Sequence, residues 1–373
     1  MIHFNIPYIS KSEAVEFENL LANKKFCGDG QYTKLCSVLL EKICNVKKVL
    51  LTTSCTHALE MAALLLNIMP GDEVIMPSFT FVSTANAFVL RGAKIVFVDI
   101  KSNDMNIDET LIESAISPKT KAIVVVHYAG NSCEMDEIMH IADKYKLTVI
   151  EDAAQALGSK YKGKSLGSIG HLSSISFHET KNLHCGEGGA LLINDNKFIE
   201  RAEIIREKGT NRSKYIRGQV DKYTWVDIGS SYLLSEINAS FLYSQLSHIE
   251  IITEKRRSLF DNYIQLFKKS KLISPIFQKH CQSNGHIFYL ICENVNQRDN
   301  LITFLKTKNI FATFHYIPLH TSDFGKINGT FIGLDLNTSN LSNRLIRLPM
   351  HYDLTESEQK IIFNEINNFI KNV

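Results

Sequence analysis

Two side chains in this sequence could together handle an amine and a carbonyl. Glu151-Asp152-Ala153-Ala154-Gln155 follows the apolar run Leu147-Thr148-Val149-Ile150. Lys181 follows a second run ending Ile175-Ser176-Phe177 and stands shortly before Gly186-Glu187-Gly188-Gly189. A lysine can form an imine with an aldehyde, and an aspartate can face a protonated pyridine nitrogen. That pairing is what pyridoxal phosphate requires of a protein. Singly, each has an ordinary explanation, since most lysines are solvated and strand-end acids often cap loops and helices. The glycines after Lys181 allow close backbone approach, and the joint appearance favours chemistry on a carbonyl.

Further segments could complete such a site. Ser54, Cys55 and Thr56, in Thr53-Ser54-Cys55-Thr56-His57-Ala58, lie between a strand-like and a helical pattern. Amides and hydroxyls at a helix N-terminus bind phosphate, although a plain Ser/Thr cap has the same signature. Ser176 could add a hydroxyl. Phe79 and Phe81 occupy the next strand-to-helix turn, where an aromatic could stack on a flat ring or simply fill the core. Arg206, Lys208, Arg212, Lys214, Arg217 and Lys222 are interleaved with Tyr215, Tyr223 and Trp225. Such a cluster suits an anionic, base-bearing substrate such as a nucleotide sugar, whereas charge runs are more often solvated faces. His315, Tyr316 and His320 surround Pro318 as a substrate-lining segment or a turn; no third ligand stands at a metal-binding spacing.

These residues need a scaffold, and the pattern supplies one. Strand-like runs at 49–53, 72–76, 94–98, 122–126 and 149–150 alternate with helical patterns at 56–66, 80–90, 108–115 and 134–144. That rhythm predicts an α/β fold with a mostly parallel sheet covered on both faces, with ligands beyond the carboxyl ends of the strands. Ala190 to Ile193 is the last strand of this block, and one long helical stretch is expected over 234–266. A large domain over 1–245 and a smaller C-terminal α+β domain over 246–373 follow, with a strand at 286–292 and helices near 298–306 and 357–371. The 373 residues, 45% hydrophobic with a net charge of +2, suit a soluble globular protein and give no electrostatic support for nucleic-acid or membrane partners. Eight scattered cysteines without C-x-x-C spacing, and no leader-like start, predict reduced thiols in a cytoplasmic protein.

Taken together, these segments resemble the DegT-type sugar-nucleotide aminotransferases, a branch of the fold-type I pyridoxal-phosphate enzymes, over essentially the whole chain. The resemblance implies an aspartate-aminotransferase-like fold and a homodimer with shared active sites. It implies that Lys181 bonds the cofactor aldehyde, Asp152 faces the ring nitrogen, Gln155 meets the ring hydroxyl and Phe81 stacks on the ring. Ser54, Cys55, Thr56 and Ser176 match phosphate contacts, with Cys55 where the family has glycine. Ser231 stands where a neighbouring subunit usually supplies an asparagine. Asp29, His178, Arg212, Lys214, His315 and Tyr316 fall at substrate-binding positions. The implied reaction uses L-glutamate, leaves the cofactor as pyridoxamine phosphate, and aminates carbon 4 of dTDP-4-keto-6-deoxy-D-glucose with galacto configuration. An equatorial 4-amine or amination at carbon 3 are the neighbouring outcomes. A dehydratase of this fold would lack Lys181, and a dinucleotide-binding dehydrogenase would need G-x-G-x-x-G where Thr53-Ser54-Cys55-Thr56 stands. A non-catalytic regulator would not need the acid, lysine and phosphate segments together.

Overall fold

Short Val- and Ile-rich runs pair into an eight-stranded central sheet in the computed structural model, which describes residues 1–371. The strands are β1 (Lys48–Thr52), β2 (Glu73–Pro77), β3 (Lys94–Val98), β4 (Thr120–Val126), β5 (Thr148–Asp152), β6 (Leu172–Ser176), β7 (Gly189–Ile193) and β8 (Gly329–Phe331). Their spatial order is β1-β7-β6-β5-β4-β2-β3-β8. β7 is antiparallel to both neighbours, and every other pairing is parallel. This is the mostly parallel, helix-covered α/β sheet expected of fold type I.

Strand alternation builds two cores, one on each face. Val49, Ile75, Ile123 and Val149 enter the first, covered by helices Gln31–Cys44, Met135–Tyr145 and Glu236–Ser247. Leu50, Val74, Val124 and Ile150 enter the second, beneath helices Cys55–Leu65, Val82–Val89 and Ile199–Arg206. A third core joins helices Ile249–Phe267, Val295–Thr307 and Glu356–Lys371 through Leu259, Leu301 and Ile362. Among the described residues, no helix is long and apolar enough to cross a membrane.

Several expectations shift. The stretch over 234–266 is two helices, Glu236–Ser247 and Ile249–Phe267, broken at His248 (φ −106°, ψ 9°), whose ring bonds the Ser244 carbonyl. The strand at 286–292 shrinks to Tyr289–Ile291, paired with Leu345–Arg347. The basic cluster around Arg212 and Lys214 contains a short helix, Arg212–Ile216. The chain also crosses the division placed at residue 245. Ile2 bridges Ile310 and joins the third core, while β8 pairs with β3 and covers what would be an open sheet edge.

One buried carboxylate ties these strands together. Glu151 on β5 accepts amide hydrogen bonds from Gly167, Ile169 and Gly170, the turn that leads into β6, and meets His127 Nε2 at 2.9 Å. The Cys133 amide donates to His127 Nδ1, so the ring proton sits on Nε2 and points at Glu151. Burial alone would raise the Glu151 carboxyl. The His127 hydrogen bond and the Gly167 and Gly170 amides outweigh it and hold the carboxyl below its ordinary value. A lowered folded value means the stabilisation is complete above the ordinary glutamate range and is lost as pH falls through the folded value. Glu151→Ala should therefore cost about 3 kcal/mol or more in urea unfolding near neutrality, because it orphans buried donors. The difference from wild type should shrink in acid. A variant as stable as wild type at neutral pH would show that the turn is held by other contacts.

Candidate active site

The antiparallel direction of β7 explains why so many glycines gather at one place. Its first residue, Gly189, lies at the same edge as the carboxyl ends of β1, β5 and β6, opposite Thr52 and Ser176. A cavity of about 700 Å³ opens there and is also walled by the C-terminal body.

Lys181 projects from the connection between β6 and β7. That connection is closed by backbone bonds from Phe177 to Gly188 (2.8 Å), Glu179 to Gly186 (2.9 Å) and Lys181 to His178 (2.9 Å). Gly186 has φ +76°, a left-handed conformation that favours glycine. The lysine is half-buried in the cavity, and its amine is lowered from the ordinary value by desolvation, with the positive charge of Arg347 adding to the effect.

Asp152, at the end of β5, is buried. It accepts from Thr84 Oγ1 at 2.7 Å and from the Ala154 amide at 3.2 Å. Burial raises its carboxyl, and the Thr84 and Ala154 hydrogen bonds and Lys181 only partly oppose this. Gln155 accepts from the Ala129 amide (2.6 Å) and donates to the Tyr316 hydroxyl (2.9 Å), so its amide is oriented from both ends. Phe81 caps the helix Val82–Val89, is exposed over more than half its surface, lines the cavity, and has its ring centre 6.1 Å from that of Tyr316.

A helix start lies on the cavity wall. Ser54 caps Cys55–Leu65 and accepts from the His57 amide, leaving the Cys55 and Thr56 amides without intrahelical acceptors. Thr56 Oγ1 donates to Ser83 Oγ at 2.8 Å, and Ser176 lines the same wall. Cys55 is the first helical residue and has no positive φ, so its side chain strains nothing where a glycine was expected. Its thiol is pushed up to about 12 by burial and by Asp152, and stays protonated.

The cavity thus brings together Lys181, Asp152, Ser54, Cys55, Thr56, Phe81, Gln155, Ser176, His178, His315 and Tyr316. His178 bonds Thr180 and lies 3.6 Å from Glu187. His320 is outside, joined to Ser78 and Asp335. Four expected contacts do not enter the cavity from the same chain. Asp29 pairs with Arg206 (2.5 Å), Arg212 with Glu207 and Lys214 with Glu200 (2.6 Å), while Ser231 bridges Glu207. Sequence reasoning missed Thr84, His286 and Arg347. Arg347 had a readable signal, a single charge inside the apolar run Leu345-Ile346-Arg347-Leu348. It reaches the cavity, packs its guanidinium 4.8 Å from the Phe4 ring centre, and is lowered by burial.

A buried acid, a half-buried lysine and free helix-start amides on one cavity fit pyridoxal phosphate and define an aminotransferase site. The sequence matches the DegT/DnrJ/EryC1/StrS aminotransferase family over residues 7–367, and the chain belongs to that family of pyridoxal-phosphate-dependent enzymes. MJ1066 of Methanocaldococcus jannaschii is 38% identical over 326 residues, 85% of this chain and 84% of its own. PseC of Helicobacter pylori, an aminotransferase involved in the biosynthesis of pseudoaminic acid, superposes with a TM-score of 0.91 at 26% identity, covering 100% of both chains. Spr1654 of Streptococcus pneumoniae, in its pyridoxamine phosphate form, also gives 0.91 at 26% identity with 100% of both chains covered.

Gly189 tests the anion end of the site. A Cβ there would stand 2.3 Å from the Cys55 nitrogen, so only glycine lets β7 pass beside the helix start. Gly189→Ala should displace the Cys55 amide and weaken pyridoxal phosphate retention roughly tenfold or more, equivalent to about 1.4 kcal/mol. Absorbance titration of the apoprotein measures this; unchanged affinity would place the phosphate elsewhere.

Proposed function

We propose that this aminotransferase moves the amino group of L-glutamate to carbon 4 of dTDP-4-keto-6-deoxy-D-glucose, giving dTDP-4-amino-4,6-dideoxy-D-galactose. This is the reaction of the dTDP-4-amino-4,6-dideoxygalactose transaminase of enterobacterial common antigen synthesis, and the product would serve surface polysaccharide synthesis in the cytoplasm. The amination rests on one observation above all, the placement of Lys181 and Asp152 on a single cavity. The sugar and its configuration rest on the likeness of Cys27-Gly28-Asp29-Gly30, Pro77 to Val98, Phe177 to Asn182, Glu203 to Ser213 and Phe314 to His320 to that enzyme.

Pyridoxal phosphate, when bound, supplies an electron sink beside the amine-bearing carbon. Lys181 would hold it through its amine and, when free, would serve as the group that moves the proton at that carbon. An amine lowered by desolvation is suited to this, because more of it is unprotonated. Asp152 holds the ring nitrogen. Burial disfavours its charge, so a cation placed against it is strongly favoured. The Cys55 and Thr56 amides, with Ser54 and Ser176, hold the phosphate, and Gln155 and Phe81 hold the ring. Arg347, which has no carboxylate partner among the described residues, receives a glutamate carboxylate.

Asp29, Arg212, Lys214 and Ser231 lie outside the cavity of their own chain, and we place them at the site of a second copy. An apolar groove lined by Ile9, Phe17, Ile237 and Phe241 runs up to Glu179 and Gly186, on the connection that carries Lys181. That groove suits a homodimer with shared sites.

Lys181→Ala should abolish turnover and the visible absorbance of lysine-bound cofactor. Asp152→Asn should lose about 3 kcal/mol in the chemical step, as other deletions of active-site electrostatics do. Wild-type rates in either variant would overturn the assignment. For the product, a small NMR coupling between the protons on carbons 3 and 4 is expected, as the axial amine requires. A large coupling would mean the gluco epimer, and an amine on carbon 3 would move the ketone.

A further inference from the structure

Buried donors and acceptors beside Lys181 determine which face of one imidazole meets the cavity. Asn182, the residue after Lys181, donates its amide Nδ2 to the Asn284 carbonyl at 3.1 Å. Its Oδ1 is therefore the acceptor for His286 Nδ1, at 2.8 Å. The ring proton of His286 is thus on Nδ1, and Nε2 carries a lone pair. Among the described residues Nε2 has no partner, it is not a fully buried orphaned atom, and the residue lines the cavity.

The ring is held rigidly. The His286 amide donates to Asn284 Oδ1 (3.1 Å), and its carbonyl accepts from Arg256 Nη2 (2.8 Å). Asn284 Nδ2 in turn bonds the Gln155 and Leu157 carbonyls. Burial, with Lys181, Arg256, Arg347 and His315 nearby, keeps this histidine neutral. A ring that resists protonation is a poor proton carrier and a durable acceptor. His315 lacks this definition, because its Nδ1 partner, the Tyr128 hydroxyl, can either donate or accept.

An acceptor-only nitrogen sorts the two substrates by their chemistry. The carboxylates of glutamate are themselves acceptors and would be repelled by a lone pair. A keto sugar offers hydroxyl donors, and the hydroxyl on the carbon next to the ketone must lie close to Lys181 when the ketone does. We infer that His286 Nε2 accepts a hydrogen bond from that hydroxyl and so makes the site specific for an α-hydroxy ketone sugar. This deepens the proposed amination at carbon 4 and rests on it.

The test compares dTDP-4-keto-6-deoxy-D-glucose with its 3-deoxy analogue. Wild-type holoenzyme should prefer the hydroxylated sugar by roughly tenfold or more in kcat/KM, the scale of one buried hydrogen bond. His286→Asn keeps a donor for Asn182 Oδ1 but reaches nothing in the cavity, so its preference should vanish. Its glutamate half-reaction, followed by cofactor absorbance, should stay within about twofold of wild type, on the same reasoning that this bond is absent there. His286→Gln can return an acceptor oxygen to the Nε2 position and should recover part of the preference. Equal use of the two sugars by wild type, or an undiminished preference in His286→Asn, would overturn the assignment. Failure of wild type to convert its cofactor with glutamate would instead overturn the proposed glutamate-dependent amination.

Discussion

Everything at this site depends on two adjacent carboxylates leaving β5 on opposite sides. Side chains alternate along a strand, so Glu151 and Asp152 cannot share an environment. Glu151 turns into the protein and collects His127 and three amides. Asp152 turns to the cavity with Thr84 and one amide. The first therefore sets the turn into β6, and β6 ends where Lys181 begins to be positioned. The second faces the cavity. A one-residue slip of β5 would exchange the two roles and empty the site of its acid.

The C-terminal body completes the cavity through hydrogen bonds rather than through apolar contact alone. Asn284 joins Gln155, Leu157, Asn182 and Ser159, and Arg256 reaches the Gly285, His286 and Met350 carbonyls. Burial lowers that arginine to about 9. Fully satisfied buried networks are stiff, because each missing partner leaves a desolvated group. The lysine loop is thereby registered against both bodies, and the ring of His286 is fixed in one orientation. Gly130 belongs to the same seam, where a Cβ would stand 2.1 Å from Asn284 Oδ1.

Local chemistry was legible in the sequence, and chemistry assembled across the chain was not. Asp152 and Lys181 each carry their evidence beside them, an apolar strand before and a turn or glycines after. The strands 72–76, 94–98 and 122–126 were readable for the same reason, since buried parallel strands are continuous apolar runs. The antiparallel direction of β7 was not, because Gly189 to Ile193 looks the same in either direction. His286 and Arg347 come from far along the chain and meet Lys181 only through the tertiary fold. Arg212 and Lys214 were conspicuous as charge, yet each is satisfied within its own chain by Glu207 and Glu200. A charge cluster shows that cations are present, and their geometry decides whom they face.

The protein's electrostatics explain why this cavity should hold an ionic cofactor tightly. Desolvation pushes Asp152 up and Lys181 down, so each is driven toward its neutral form. Both shifts are penalties on charge that an ionic ligand relieves: a cation beside Asp152 restores its carboxylate, and a covalent bond removes the burden on the Lys181 amine. At the opposite end, the free amides of Cys55 and Thr56 favour an anion. A ligand carrying a cation at one end and a phosphate at the other is thus stabilised at both ends, and through linkage it stabilises the fold that orders them. The same reasoning explains the protonated thiol at Cys55. A thiolate there would compete with any anion for the helix start and repel Asp152, and burial prevents it from forming.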